Sequence, residues 1–191
     1  MTGNKAAPRV LMLLGSPRKK GNSAILAEQI ARGARSAGAT VESVYLHGLT
    51  IAPCRACYAC QKPRSRGCAV DDDMQALYPK LIEAGAWVIA SPVYWFTLSA
   101  QTKLFMDRCF ALLAYASNPF AGKRIAIAMT YGDTDPVTSG CINALRTFQD
   151  AFAYTKSPIV GMVYGSAPGL GDIRKNEALL REAEALGRTL V

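Results

Sequence analysis

The sequence has little of the residue type that most often serves as a catalytic base. It contains a single histidine, His47, and no motif accompanies it, so we interpret His47 as a residue at the surface or at a strand end. No nucleophile and base stand in a recognisable arrangement either, so no catalytic side chain is predicted. This is expected of a protein in which a bound cofactor carries out the chemistry.

Long hydrophobic runs are also missing. The longest apolar stretch, 86–98, is interrupted by Pro92 and falls short of the roughly 18 residues that a membrane-spanning helix needs. The apolar run at 10–14 is too short for a signal peptide, and no small-residue cleavage site follows it. The sequence therefore predicts a cytoplasmic protein without a membrane partner.

Acidic residues are scarcer than basic ones, 14 against 22, which gives a formal net charge of +8. Basic proteins attract anions, nucleic acids included. No long basic run and no basic face interleaved with aromatic residues is present, so no nucleic-acid partner is predicted. One loop, 54–68, holds basic residues and no acid, namely Arg55, Lys62, Arg64 and Arg66. It is either a solvated loop or the neighbour of a negatively charged group.

Apolar strand-like segments alternate with amphipathic helical ones along the whole chain. Strands are predicted over 10–14, 40–46, 87–90, 125–129 and 159–164, and helices over 22–37, 74–82, 98–113, 139–152 and 172–190. Pro79 predicts a kink or a late start in the second helix. Five such alternations indicate an α/β fold with a parallel sheet that is covered on both faces. The length suits one domain, residues 1–191.

The loop after the first predicted strand has the composition of a phosphate site. Ligands of such sheets bind outside the carboxyl ends of the strands, and this loop, 15–23, leads directly into a helix. The hydroxyls of Ser16 and Ser23, the amide of Asn22, the charge of Arg18 and free N–H groups at the helix start would converge on a phosphate monoester. The loop matches neither a dinucleotide-binding turn nor a Walker loop. An ordinary strand–helix turn is the alternative.

The pattern Gly-Ser-Pro-Arg-Lys-x-Gly-Asn-Ser-x-x-Leu after the first strand resembles the NADPH-dependent FMN reductase family. The resemblance continues at 91–96 and 100–108 and covers most of the chain up to about residue 135. It implies a flavodoxin-like three-layer sandwich, whose five-stranded parallel sheet has the order 2-1-3-4-5, with the phosphate of FMN in loop 15–23. The iron–sulfur flavoprotein branch is the most similar, because there too a cysteine motif follows the second strand and Asp-Asp-Met, here 72–74, follows the motif.

By this resemblance, the segment after the third strand lies against the flavin ring: Pro92, Val93, Tyr94, Trp95, Phe96 and Thr97. The chemistry of the residues agrees, because three consecutive aromatic side chains offer flat surfaces, and the backbone offers polar groups to the ring edge. Each aromatic ring would serve equally well as a core residue. Tyr131 and Gly132, after the fourth strand, are also predicted to touch the ring. Lys103 and Asp107, four residues apart, predict a surface ion pair.

Four of the six cysteines, Cys54, Cys57, Cys60 and Cys68, form a C-x2-C-x2-C-x7-C motif. A cytoplasmic chain of this size does not need disulfides, which favours metal binding or redox chemistry. Structural zinc usually takes two pairs of ligands separated by a dozen or more residues. Cysteines at three-residue steps resemble ligands of a [4Fe–4S] cluster instead. Free redox-active thiols and zinc stay open as alternatives. Cys109 and Cys141 are predicted to be small core residues.

The resemblance implies an oxidoreductase in which NAD(P)H is the co-substrate and delivers hydride to FMN. The reduced flavin would then pass electrons to a small-molecule acceptor: a quinone, an azo compound, a free flavin or a metal ion. The alternative is an iron–sulfur flavoprotein that relays electrons between redox protein partners through FMN and the cluster. A flavin-binding sensor without turnover is a third possibility. The resemblance also implies a homo-oligomer, a dimer or a tetramer.

Overall fold

The computed structural model describes residues 6–65, 67–115 and 118–191, so Arg66 of the basic loop lies outside the described residues. Strands and helices alternate as the sequence predicts. The strands are β1 (Arg9–Leu14), β2 (Thr40–Tyr45), β3 (Ala86–Tyr94), β4 (Thr97–Leu98), β5 (Arg124–Tyr131) and β6 (Ile159–Ser166). The helices are α1 (Asn22–Ser36), α2 (Met74–Glu83), α3 (Ala100–Arg108), α4 (Cys141–Tyr154) and α5 (Glu177–Arg188).

The sheet has the predicted doubly wound order. Within the described residues it runs β2-β1-β3-β5-β6, all neighbours parallel, which is 2-1-3-4-5 when the parallel strands alone are counted. One further strand, β4, is not predicted by the sequence and pairs antiparallel with the end of β3. The flavodoxin-like fold is therefore confirmed, with one short strand added at the carboxyl end of β3, the end of the sheet at which ligands of such folds bind.

Two hydrophobic cores lie on opposite faces of this sheet. Side chains alternate along β1, so that Leu11 and Leu13 join one core while Val10 and Met12 join the other. The first core is covered by α2, α3 and α4, and the second by α1 and α5. The central strands are buried on both faces, which explains why they are continuous apolar runs in the sequence.

Helices α1 and α5 approach each other so closely that their backbones are in contact. A Cβ atom on Gly33 would lie 1.9 Å from the carbonyl oxygen of Glu184, and one on Gly187 would lie 1.9 Å from that of Ile30. An ion pair between Arg32 and Glu184 joins the same two helices. The position of α1 is therefore fixed by α5, and no larger residue fits at either glycine.

The structure corrects several predicted boundaries. Strand β3 continues past Ala90 to Tyr94, because its register with β5 extends to Pro92 and β4 pairs with its last residues. The third helix begins at Ala100, where Ser99 caps it by accepting the N–H of Thr102 at 3.3 Å, and its last turns are a 3₁₀ helix over Cys109–Ala114.

Helix α2 begins at Met74 and runs through Pro79, so the late start is not observed. Among the described residues, no helix combines the length and the apolar character needed to cross a bilayer.

Candidate functional site

A cleft of about 190 Å³ opens at the carboxyl ends of β1, β3, β5 and β6. Its walls contain nine of the residues that the sequence predicts for flavin binding: Ser16, Arg18, Asn22, Ser23, Pro92, Val93, Tyr94, Tyr131 and Gly132. Four further residues line it that were not among the predicted ones: Gly21, Thr130, Ala167 and Pro168. The structure does not place Trp95, Phe96 or Thr97 on the wall.

The start of α1 offers unpaired hydrogen-bond donors to this cleft. The hydroxyl of Ser16 accepts the N–H of Arg18 at 3.0 Å, and the N–H of Gly21 donates to the carbonyl of Arg18 at 2.9 Å, which closes the loop into a turn. No side chain caps α1, and the N–H groups of its first turn, residues 22–24, find no acceptor among the described residues. An uncapped helix start of this kind binds anions through its N–H groups and its dipole.

Asn22 has a different task from the predicted one. Its Nδ2 donates to the carbonyls of Ala167 at 3.0 Å and Gly169 at 2.8 Å, and its Oδ1 accepts the N–H of Gly171 at 2.8 Å. Both amide protons are therefore used within the protein, which leaves the backbone N–H as the donor of Asn22 that has no acceptor among the described residues. The side chain ties the loop after β1 to the loop after β6, so it holds two walls of the cleft together.

A buried network of hydroxyl groups supports the cleft from below. Ser99 Oγ donates to the carbonyl of Gly15 at 2.7 Å and lies 2.9 Å from Thr102 Oγ1, while the N–H of Ser99 donates to Ser91 Oγ at 2.9 Å. A Cβ atom on Gly15 would lie 1.9 Å from Thr102 Oγ1. The loop after β1, the end of β3 and the start of α3 thus form one rigid unit that admits only glycine at position 15.

The charge around the cleft favours an anionic ligand. None of the described residues that line it is acidic, and Arg18 brings an exposed guanidinium to its rim. Lys19 does not line the cleft, since its ammonium lies over the ring of Tyr45, 5.1 Å from the centroid. Burial raises the pKa of Tyr131, so its phenol is neutral at physiological pH.

The aromatic segment after β3 is a tight hairpin rather than an open loop. Tyr94 pairs with Thr97, and the two residues between them, Trp95 and Phe96, both have positive φ, 49° and 65°. Trp95 is 91% exposed. Trp95 and Phe96 are therefore not core residues, because the longer β3 carries both side chains into solvent. Their contacts with the flavin ring stay a prediction. Tyr94 stays on the wall.

A second cavity, of about 450 Å³, lies beside the cysteine motif on the face of the sheet covered by α3 and α4. We call it the cysteine cavity. All four cysteines of the motif line it, together with a largely aromatic wall of Tyr58, Trp87, Phe105, Phe110, Phe120, Phe152 and Tyr154. Cys54 and Cys57 are exposed, Cys68 is half-buried and Cys60 is buried. Within the described residues, no three cysteine, histidine or carboxylate side chains are grouped closely enough to hold a metal ion. The thiols share a wall, but they do not converge.

Arg108 connects this motif to the protein core. Its fully buried guanidinium donates to Asp72 at 2.5 and 3.1 Å and to the carbonyl of Ala52 at 2.9 Å, and Nη2 lies 3.3 Å from Cys68 Sγ. Burial works to raise the pKa of Asp72, but the hydrogen bonds, above all that from Arg108, lower it below its usual range. Burial works to raise the pKa of the Cys68 thiol, but hydrogen bonds with Val70 and Arg108 outweigh it and lower that pKa below its usual value.

The two sites lie toward opposite ends of β3. The cysteine cavity reaches Trp87 near the start of the strand, whereas the cleft is walled by residues 92–94 at its end. Pro92 lies five positions after Trp87 along the extended strand, which is about 16 Å. No described residue lines both sites.

Comparison with known proteins identifies the family to which the chain belongs. The sequence pattern of the NADPH-dependent FMN reductase family matches residues 8–168, which include every residue of the cleft. The chain belongs to this family. The resemblance seen in the sequence is thereby confirmed, as is the class of protein, an oxidoreductase of a family described by FMN and NADPH.

Other members of the family carry names that bear on the cysteine motif. An iron–sulfur flavoprotein of Archaeoglobus fulgidus is 36% identical over 64% of this chain and 61% of its own length. An iron–sulfur flavoprotein of Methanocaldococcus jannaschii is 32% identical over 84% of this chain and 79% of its own length. The matches span between 46% and 63% of the length of four of these curated relatives.

Solved structures support the fold. The NAD(P)H:quinone oxidoreductase of Methanothermobacter marburgensis superposes with a TM-score of 0.73 over 97% of this chain and 96% of that one, at 20% identity.

Several smaller predictions are also confirmed. His47 is exposed just after β2, with its Nδ1 3.1 Å from the amide of Gln101. Lys103 and Asp107 form an exposed ion pair at 2.5 Å. Cys109 and Cys141 are buried. Of the cleft residues that sequence reasoning missed, Gly21, Ala167 and Pro168 carry no polar side chain. Only the place of 167–168 after a strand's carboxyl end could have indicated those two residues.

Proposed function

We propose that this family member binds FMN in the cleft and uses NAD(P)H to reduce a small acceptor, such as a quinone, an azo compound, a free flavin or a metal ion. One observation carries the proposal. The uncapped start of α1 brings N–H groups without acceptors together with Ser16, Ser23 and Arg18, at a cleft whose described lining has no acid. That donor set fits a phosphate monoester, the group that distinguishes FMN from riboflavin.

Each wall of the cleft has a part in this proposal. Arg18 and the hydroxyls of Ser16 and Ser23 bind the phosphate through charge-assisted hydrogen bonds. Residues 92–94 and 130–132 flank the flavin ring and orient it, and Asn22 keeps the loop after β6 in place. When bound, FMN supplies the two-electron chemistry, and for that reason no side chain of this chain is assigned as a catalytic acid or base.

The binding step is tested by titrating the flavin-free protein with FMN. Arg18→Ala should weaken FMN binding by about tenfold or more, because a charge-assisted contact is worth about 1.5–3 kcal/mol. Lys19→Ala is the matched control, since it removes the same charge from the same loop but from a side chain outside the cleft. Riboflavin, which lacks the phosphate, should bind both variants equally.

Equal FMN affinity in the Arg18→Ala and Lys19→Ala proteins, or a preference for FAD over FMN, would contradict the assignment. The redox step is then tested separately, by following the flavin spectrum of the loaded protein after NADPH or NADH is added without oxygen. A flavin that stays oxidised with both nucleotides would reject the proposed activity while leaving the binding site intact.

A second candidate function is favoured by the cysteine cavity. In this alternative the protein is an iron–sulfur flavoprotein that relays electrons between redox partners through FMN and a [4Fe–4S] cluster. The supporting observation is that Cys54, Cys57, Cys60 and Cys68 all line one cavity. Ligation needs the two exposed thiols to turn inward, which is a movement of the loop around Ala56 and Tyr58, both at positive φ. Two relatives that bear the name iron–sulfur flavoprotein support this candidate.

Iron and acid-labile sulfide assays on protein purified without oxygen distinguish the two functions. The relay predicts stoichiometric iron in the unaltered protein, retained in Cys141→Ala and lost in Cys57→Ala. Cys141 is the control because it is a buried cysteine outside the cavity. Negligible iron in all three, together with full flavin content and oxidation of NADPH, leaves a flavin reductase with free thiols.

The remaining proposals concern assembly and location. We propose a homo-oligomer, because exposed aromatic side chains such as Trp95, Tyr154 and Tyr58 are of the kind that subunits cover. Light scattering of the flavin-loaded protein measures its mass, and a monomer at micromolar concentration would reject this proposal. Six free cysteines suit the reducing conditions of the cytoplasm, the location we propose.

A further inference from the structure

The turn between β3 and β4 adopts a backbone conformation that its residues disfavour. A two-residue hairpin loop with positive φ at both positions has the character of a type I′ turn, which normally carries Asn-Gly. Here the two residues are Trp95 and Phe96. Bulky residues rarely adopt positive φ, so both are strained. Burial of their rings does not offset the strain, since both side chains are exposed.

The first residues of α4 and the glycine that precedes it hold this turn. The side-chain amide of Asn143 donates to the carbonyl of Phe96 at 3.1 Å. A Cβ atom on Gly140 would lie 2.4 Å from that same carbonyl oxygen and 2.5 Å from the Cα of Phe96. Gly140 itself has φ 76°, so its position demands glycine for two separate reasons. Neither residue lines the cleft.

We propose that Gly140 and Asn143 are positioning residues that keep Trp95 and Phe96 in the strained turn and thereby fix the wall of the cleft formed by residues 92–94. The mechanical link is the hairpin itself, because Val93 pairs with Leu98 and Tyr94 pairs with Thr97. A relaxed turn changes that pairing and so moves Val93 and Tyr94, which both line the cleft. The effect on flavin rests on the proposed function, whereas the effect on the hairpin does not.

The test compares two variants on the same helix. Asn143→Ala removes the hydrogen bond to the turn, and Arg146→Ala is the matched control, since it removes an exposed ion pair with Asp150 and touches no part of the hairpin. Hydrogen exchange of the 92–98 segment, followed by mass spectrometry, reports the order of the hairpin. We expect Asn143→Ala to speed that exchange and to weaken FMN binding about two- to tenfold, the range for one hydrogen bond. Arg146→Ala should change neither.

A variant in which the turn is no longer strained distinguishes a positioning role of Asn143 from a general loss of stability. In the double variant Trp95→Asn, Phe96→Gly the turn carries its preferred residues, so adding Asn143→Ala should no longer speed exchange or weaken FMN binding. The same losses in this background would overturn the proposal, as would exchange in Asn143→Ala equal to that in Arg146→Ala. If the unaltered protein binds no FMN, the proposed function fails, and the exchange measurements still decide whether Asn143 holds the turn.

Discussion

The cleft and the cysteine cavity differ in size, in polarity and in how firmly their residues are held. The cleft is small and polar, and its loops are bonded to one another through Asn22, Ser99 and backbone groups. The cysteine cavity is larger and mostly apolar, and its exposed thiols belong to a loop that must rearrange before they can act together. A preorganised site binds without spending free energy on ordering, whereas the second site must be completed by what it binds. Of these two sites, the cleft is therefore the preorganised one.

The largest expected effect concerns Arg108, which anchors the cysteine motif. Arg108→Met leaves the buried carboxylate of Asp72 without its cation, so the free energy of unfolding should fall by about 3–5 kcal/mol. Lys103→Met on the same helix breaks an exposed ion pair and should cost less than about 1 kcal/mol. Urea unfolding measures both. Similar losses in the two variants would show that the cysteine motif has no rigid anchor, which would sharpen the contrast with the cleft.

An intermediate effect is expected beneath the cleft, at Gly15. Gly15→Ala forces a Cβ atom against Thr102 Oγ1, and the free energy of unfolding should fall by about 1–3 kcal/mol. Gly85→Ala, just before β3, is the matched control. A Cβ atom there would lie 3.9 Å from its nearest neighbour, the carbonyl oxygen of Arg9, which is an ordinary contact. FMN affinity should fall in the first variant alone. Unchanged affinity there would mean that the cleft does not depend on the hydroxyl network.

A gradual effect, spread over pH, is expected at Lys123, whose ammonium lies over Trp87, a residue that lines the cysteine cavity. Burial lowers the pKa of Lys123 from 10.5 to about 8, although its ammonium donates to the carbonyl of Ala84 and lies over Trp87. Between these two pKa values the unfolded chain binds more protons than the folded protein. The free energy of unfolding should therefore rise with pH across this window, by at most about 1.4 kcal/mol per pH unit.

Urea unfolding from pH 7 to 10.5, compared between the unaltered protein and Lys123→Met, measures this contribution. The difference in free energy of unfolding between the two should change with pH only inside the window. A constant difference would show that the ammonium is hydrated in the folded protein and that its burial does not lower its pKa.

The parts of the molecule that could be predicted are those whose structure is determined by residues close together in the sequence. The alternation of strands and helices follows from apolar runs and helical spacing, whereas the sheet order follows from the family resemblance of the motif after β1. The partners of the Asn22 side chain are about 145 positions away along the chain. The local sequence therefore predicts a ligand contact for its amide, whereas the structure shows it bonded to the loop after β6. Ser91 and Pro92 have the composition of a strand end, and only pairing with β4 and β5 carries the strand onward. The spacing of the cysteines could predict a shared location, but not the direction of each thiol.

The close contact between α1 and α5 has a consequence for the order in which this protein matures. On the ribosome, α1 emerges roughly 150 residues before the helix against which its backbone rests. Until α5 has been synthesised and docked, this face of α1 has no partner helix, and Ala167 and Gly169, which hold Asn22 at the amino end of α1, are also synthesised late. The cleft, which Ala167 and Pro168 help to line, is therefore complete only in the last part of translation or in the released protein, and the proposed FMN binding is expected to follow that step.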